Sequence, residues 1–107
     1  MNIIYTKSYD KSIKVLNKRK EEKEVLEDIL SYLRNINNFN ILLNDPLAKM
    51  YGFERLKYDL KDFYSFRLSR TIRLIVKPKD NNIEIYLIYL SKNHYEDFDI
   101  GKVMFYE

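Results

Sequence analysis

Two short stretches of this sequence carry side chains that could break a phosphodiester. One begins Phe53-Glu54-Arg55-Leu56-Lys57 and continues through Phe63-Tyr64-Ser65-Phe66-Arg67-Leu68 and Ile72-Arg73-Leu74-Ile75-Val76; the other is Asn93-His94-Tyr95. Together they offer a carboxylate, an imidazole, a phenol and several guanidinium or ammonium groups. RNA scission by its own 2′-oxygen needs a base to deprotonate that oxygen, an acid for the leaving 5′-oxygen and cations for the phosphorane. A carboxylate can take the first proton. An imidazolium, with an unperturbed pKa of ~6.5, can deliver the second. Such acid–base assistance is worth about 10²–10⁴ in rate. No metal or cofactor is required.

The bulk composition fits this chemistry and narrows the rest. The 107 residues predict a single domain, and an apolar share of 46% predicts a globular one. There is no Cys, which excludes disulfides and thiolate metal sites, and a lone His offers little to zinc. No apolar run approaches the ~20 residues of a membrane span. Met1-Asn2-Ile3-Ile4-Tyr5 lacks a signal-peptide pattern, so the expected location is the cytoplasm. The net charge is +3 and unevenly spread. Arg55, Lys57, Lys61, Arg67, Arg70, Arg73, Lys77 and Lys79 face only Glu54, Asp59 and Asp62 between positions 51 and 79. The last twelve residues carry four acids against Lys102. A basic middle of this kind suits a polyanion or an acidic protein partner. It also suits a solvated surface in a chain rich in Lys, Asn and Ile.

The elements that must position these groups read as β-α-α-(β)-β-β-β. Residues 2–6 predict a strand, and Ser8 or Asp10 caps a helix to about Lys18. A second helix runs from about Glu21 to Ile36, with Val25, Ile29, Leu33 and Ile36 as its apolar stripe and Leu26, Leu30 and Tyr32 beside it. Residues 37–52, rich in Asn with Pro46 and Gly52, predict a loop. Strands follow at 53–58, 63–70, 72–78 and 83–90, the last apolar on both faces and therefore central. Asp80-Asn81-Asn82 is a hairpin turn. The expected class is α+β: a helical hairpin on one face of a small antiparallel sheet. Arg67 and Arg73 would point into a partly open concavity on the other face.

The ordered combination resembles a known group. Ile4-Tyr5-Thr6-Lys7-Ser8-Tyr9 before two helices is similar to the opening of RelE/ParE-superfamily toxins. The run from Glu54 to Leu68, the spacing of Glu54 to Lys57, Arg67 and Arg73, and the closing His94-Tyr95 resemble the YoeB-type branch. The resemblance covers roughly residues 2–95 and implies a microbial-RNase-like fold and a ribosome-dependent mRNA endonuclease, the toxin of a toxin–antitoxin pair. Its implied partners are the ribosome with mRNA and a cognate antitoxin, in a heterocomplex or a toxin homodimer. Glu54 would be the general base and His94 the general acid. Arg67 and Arg73 would hold the scissile phosphate, Lys57 would add positive charge, and Tyr95 would support or stack on a base. Two departures stand out. Thr71 occupies the turn where such toxins often carry an acid, and residues 96–107 extend beyond Tyr95.

Plainer readings stand beside these. Glu54 could be an exposed acid paired with Lys57 or Arg55, and His94 a surface or capping residue. Arg67 and Arg73 could ladder with acids across strands. Lys57 could be merely solvated, and Tyr95 could be a core ring anchoring the tail. At the level of function, the rivals are a ParE-like gyrase-binding toxin and an inactive interaction module that keeps only the scaffold.

Overall fold

A computed structural model describes residues 1–106. Five strands are hydrogen-bonded in the order β1-β5-β4-β3-β2. They are β1 Asn2–Tyr5, β2 Glu54–Arg55, β3 Tyr64–Arg67, β4 Arg73–Pro78 and β5 Glu84–Ser91. Strands β2 to β5 are antiparallel, whereas β1 joins the edge of β5 in parallel. The sheet is therefore mixed rather than wholly antiparallel. The helical crossover between β1 and the rest of the chain allows that parallel pairing, which no hairpin could make.

The helices are α1 Lys7–Ser12, α2 Lys20–Asn35 and α3 Pro46–Met50. Thr6, not Ser8 or Asp10, caps α1: its hydroxyl accepts from the Tyr9 N–H. Helix α1 is also shorter than its pattern implies, passing into a 3₁₀ turn over Ile13–Leu16. Helix α2 buries Leu26, Ile29, Leu30 and Leu33, a run at i, i+3, i+4 and i+7 that puts one stripe against the sheet. Val25, Tyr32 and Ile36 flank that stripe. The expected loop at 37–52 is instead half helical, with a 3₁₀ turn over Phe39–Leu43 and then α3. Asp45 caps α3 through the Leu47 N–H and Pro46 stands in its first turn. Asn-rich composition hid these turns because Phe39, Leu42 and Ala48 lock them onto the core.

The sheet divides the interior in two. On the helical side Phe66, Leu68, Ile72, Leu74, Val76, Ile85, Leu87 and Leu90 pack beneath α2. On the other side Leu56, Phe63, Ile75 and Ile88 form a second buried group. An irregularity opposite Ile75 and Val76 shifts the β4–β5 register. It sends Leu90 to the helical side while Ile88 and Tyr89 join the second group, against the simple alternation expected for β5.

The second face is not an open concavity. The chain after Tyr95 crosses it, and Phe98 and Val103 pack on the second buried group. The Phe98 ring meets Phe63 at 5.3 Å and Tyr89 at 5.8 Å. The tail then docks on the start of α1, where the Met104 N–H donates to Ser8 Oγ (2.5 Å) and the Ser8 N–H donates to the Met104 carbonyl (3.1 Å). The Tyr106 hydroxyl closes the clasp by donating to Asp10 (2.6 Å). The end of this face near the β3–β4 turn keeps polar groups accessible, with Arg67 and His94 exposed.

Candidate active site

That end is built from one cross-strand row. Arg67 on β3 lies opposite Arg73 on β4, and Arg73 lies opposite Ser91 on β5. Residues opposite one another share a face, so both guanidinium groups rise from the side away from the helices. One step along, Glu54 on β2 lies opposite Ser65 on β3 and joins the same face. Arg55, its neighbour, turns the other way and lies over the Tyr64 ring at 5.9 Å.

Arg73 is the centre of the group. It is only 6% exposed, yet no carboxylate among the described residues pairs with it. Its Nη1 donates to the Ser69 carbonyl (2.6 Å) and to the Ile72 carbonyl (3.3 Å), and its Nη2 contacts His94 Nδ1 at 3.1 Å. A guanidinium N–H can only donate, so Nδ1 accepts and Nε2 carries the ring proton. Burial lowers the Arg73 pKa and the Arg67 charge lowers it further, while Glu54 and Tyr95 act in the opposite sense. Glu54, Arg67, His94 and Tyr95 thus all bear on one buried cation. Lys57 stands exposed on the loop after β2, with no hydrogen bond or ion pair to the others among the described residues.

Local structure explains these placements. The β3–β4 turn is tied by Ser69, whose Oγ accepts from the N–H groups of Thr71 (3.3 Å) and Ile72 (3.1 Å). Thr71, where a related chain would carry an acid, works through its backbone: its carbonyl accepts from the His94 N–H at 2.9 Å. His94 and Tyr95 both hold positive φ, at 53° and 62°. Two consecutive non-glycine residues in that region are strained and need outside support. Ser91 supplies it. Its Oγ accepts from the N–H groups of Tyr95 (2.7 Å) and Asn93 (3.3 Å) and donates to Asp97. Tyr95 rests half-buried against the second core group, so its ring anchors the tail as well as facing the arginine.

The plain pairings considered for the charged residues are absent. The ion pairs among the described residues are Arg19–Glu22 and Lys79–Glu84, neither of them here. Sequence patterning missed Ser65, Ser69, Ser91 and Asp97. Ser65 is fully buried with an unpartnered hydroxyl directly opposite Glu54. Nothing in the tail marked Asp97. Gly52 did carry a signal, as one of only two glycines. Its φ is +68°, and a Cβ there would lie 2.7 Å from Arg67 Cβ. The preceding carbonyl, of Tyr51, accepts from the Arg67 N–H at 2.7 Å. Gly52→Ala therefore forces the β3 end outward, and urea unfolding is expected to show a loss of about 1–3 kcal/mol.

No group of three or more His, Asp or Glu side chains among the described residues could hold a metal ion. No helix there is long and apolar enough to cross a membrane.

No protein-family model and no curated protein matches the sequence. Solved structures do. A metal-bound toxin from Helicobacter pylori is 28% identical with a TM-score of 0.64, over 92% of this chain and 99% of that one. YafQ in the E. coli DinJ–YafQ complex is 20% identical with a TM-score of 0.64, over 92% and 98%. A YoeB/ParE toxin from Agrobacterium tumefaciens is 17% identical with a TM-score of 0.62, over 87% and 99%. Mutual coverage is near-complete in all three comparisons, and this chain, with its α+β architecture and mixed five-stranded sheet, shares the RelE-like fold of these toxins.

Proposed function

We propose that this chain is the toxin of a type II toxin–antitoxin pair, and that it cleaves mRNA in the ribosomal A site by 2′-OH attack without a metal. The observation that carries the reading is the Arg67–Arg73 pair. Like charges directly opposite across strands repel, and burying one of them without a carboxylate adds a desolvation cost. A phosphodiester placed between them would relieve both terms. The likeness to toxins supports the role, and the DinJ–YafQ complex supports a cognate antitoxin as partner. The ribosome and mRNA, and action in the cytoplasm, follow from the proposed substrate.

In this reading Glu54 takes the proton from the 2′-oxygen, which attacks phosphorus as the P–O5′ bond breaks. Arg67 and Arg73 bind the equatorial oxygens as charge develops. His94 gives the Nε2 proton to the leaving 5′-oxygen. Drawing Arg73 onto the phosphate frees Nδ1 to take a proton from solvent, so the imidazolium that gives up its Nε2 proton is left as the neutral ring. The upstream product ends in a 2′,3′-cyclic phosphate. Lys57 adds positive field beside the strand, and Tyr95 borders the leaving nucleotide.

Transcript 5′-end mapping after brief induction tests this. The wild type is expected to produce new ends within translated frames. Glu54→Gln and His94→Ala are each expected to reduce them by about 10²–10⁴-fold. Growth arrest with intact transcripts and poisoned DNA gyrase would favour a ParE-like activity instead. Unchanged toxicity in both variants would remove the roles assigned to Glu54 and His94.

A further inference from the structure

The tail beyond Tyr95 holds a carboxylate, Asp97, that touches the support of the His94 turn. Ser91 is fully buried, and its hydroxyl uses its full bonding capacity: it donates to Asp97 Oδ1 and accepts from the N–H groups of Asn93 and Tyr95. A hydroxyl has one proton and two lone pairs. An ionised carboxylate can only accept, so Asp97 draws the Ser91 proton to itself and turns both lone pairs toward the strained turn. Asp97 is held in place by Tyr89, whose hydroxyl donates to Oδ2 (3.3 Å), and by Phe98 and Val103 packed on the second core group next to it. Ser91 also lies opposite Arg73 across β4 and β5. The same short stretch therefore fixes both partners of the Arg73–His94 contact.

We infer that Asp97 is a positioning residue: acting through the Ser91 hydroxyl, it locks the left-handed His94-Tyr95 turn so that Nδ1 faces Arg73 and Nε2–H faces the substrate. The extension beyond Tyr95 is then part of the site's framework rather than a cover over it. This inference rests on the nuclease reading for its kinetic consequence, but its geometric content does not.

The chain has a single His, so imidazole ¹⁵N spectra of histidine-labelled protein report this contact alone. The wild type is expected to show the Nε2–H tautomer. Asp97→Ala and Ser91→Ala are expected to shift both ring nitrogens toward the average of a freely exchanging imidazole, and to move the amide signals of residues 93–95. Asp97→Asn, whose carbonyl still accepts from Ser91, is expected to restore most of the wild-type spectrum. Tyr89→Phe, which removes only the other Asp97 contact, is expected to leave the ring signals in place. In single-turnover RNA cleavage, Asp97→Ala should lower the rate by up to about 10²-fold with RNA affinity unchanged. Ring signals unchanged in folded Asp97→Ala and Ser91→Ala would overturn the inference, whatever happens to the rate. Cleavage absent from the wild type, with the ring signals shifting as described, would overturn the nuclease reading and leave the positioning role standing.

Discussion

Arg73→Met is expected to lower RNA cleavage by about 10²–10³-fold, the usual loss when one preorganised donor to a developing oxyanion is removed. The same substitution should leave the urea midpoint where it is or raise it. Arg73 is 6% exposed, has no carboxylate partner among the described residues and faces Arg67 across the strands. Replacing even a buried ion pair by apolar side chains of similar volume is often neutral, or stabilising by about 1–4 kcal/mol, and a buried cation without a carboxylate has less attraction to lose. The groups left behind suffer little: the Ile72 carbonyl still accepts from the N–H groups of Leu68 (3.0 Å) and Ser69 (3.3 Å), while Ser69 and His94, which lose their Arg73 bonds, are half-exposed and exposed residues within reach of water. A residue whose removal costs activity and not stability is held in the fold for its function. A stability loss above about 2 kcal/mol with cleavage intact would mark Arg73 as a structural residue, in line with the largest single-site losses. Arg73→Lys is expected to recover only part of the cleavage rate, since an ammonium cannot hold the Ser69 carbonyl and a phosphate oxygen with one planar fork.

Deleting residues 97–107 is expected to abolish cooperative unfolding at 25 °C. The deletion uncovers Leu56, Phe63, Ile75 and Ile88, which are 0–4% exposed in the intact chain. Each fully buried side chain of this size contributes roughly 1.5–3 kcal/mol. Partial exposure of four of them is comparable with the whole stability of a small domain, about 5–15 kcal/mol. The clasp of Met104 on Ser8 and of Tyr106 on Asp10 is lost as well. Circular dichroism with urea titration measures this directly. A truncated chain with a wild-type midpoint would show that the second core group closes without Phe98 and Val103.

Residue types alone left Glu54, His94, Arg67 and Arg73 open to plainer readings, and it was the resemblance of their ordered spacing to a toxin family that singled them out as candidates. The strand periods also placed Arg67 and Arg73 on the face away from Phe66 and Leu74, and the structure keeps that assignment. The period of α2 was equally plain, since one apolar stripe repeats along it.

The sequence alone determined the α+β class, the order of the elements apart from α3, and the face of the arginines, because each follows from side-chain period. Only the tertiary structure decided that β1 runs parallel beside β5, that the register shift turns Leu90 inward, and that the acidic tail closes the second face. It alone put Arg73 on His94 Nδ1 and a buried serine beneath the turn that bears it. Those outcomes depend on contacts between residues far apart in the chain, such as Ser8 with Met104 and Thr71 with His94, whose energies no local pattern encodes.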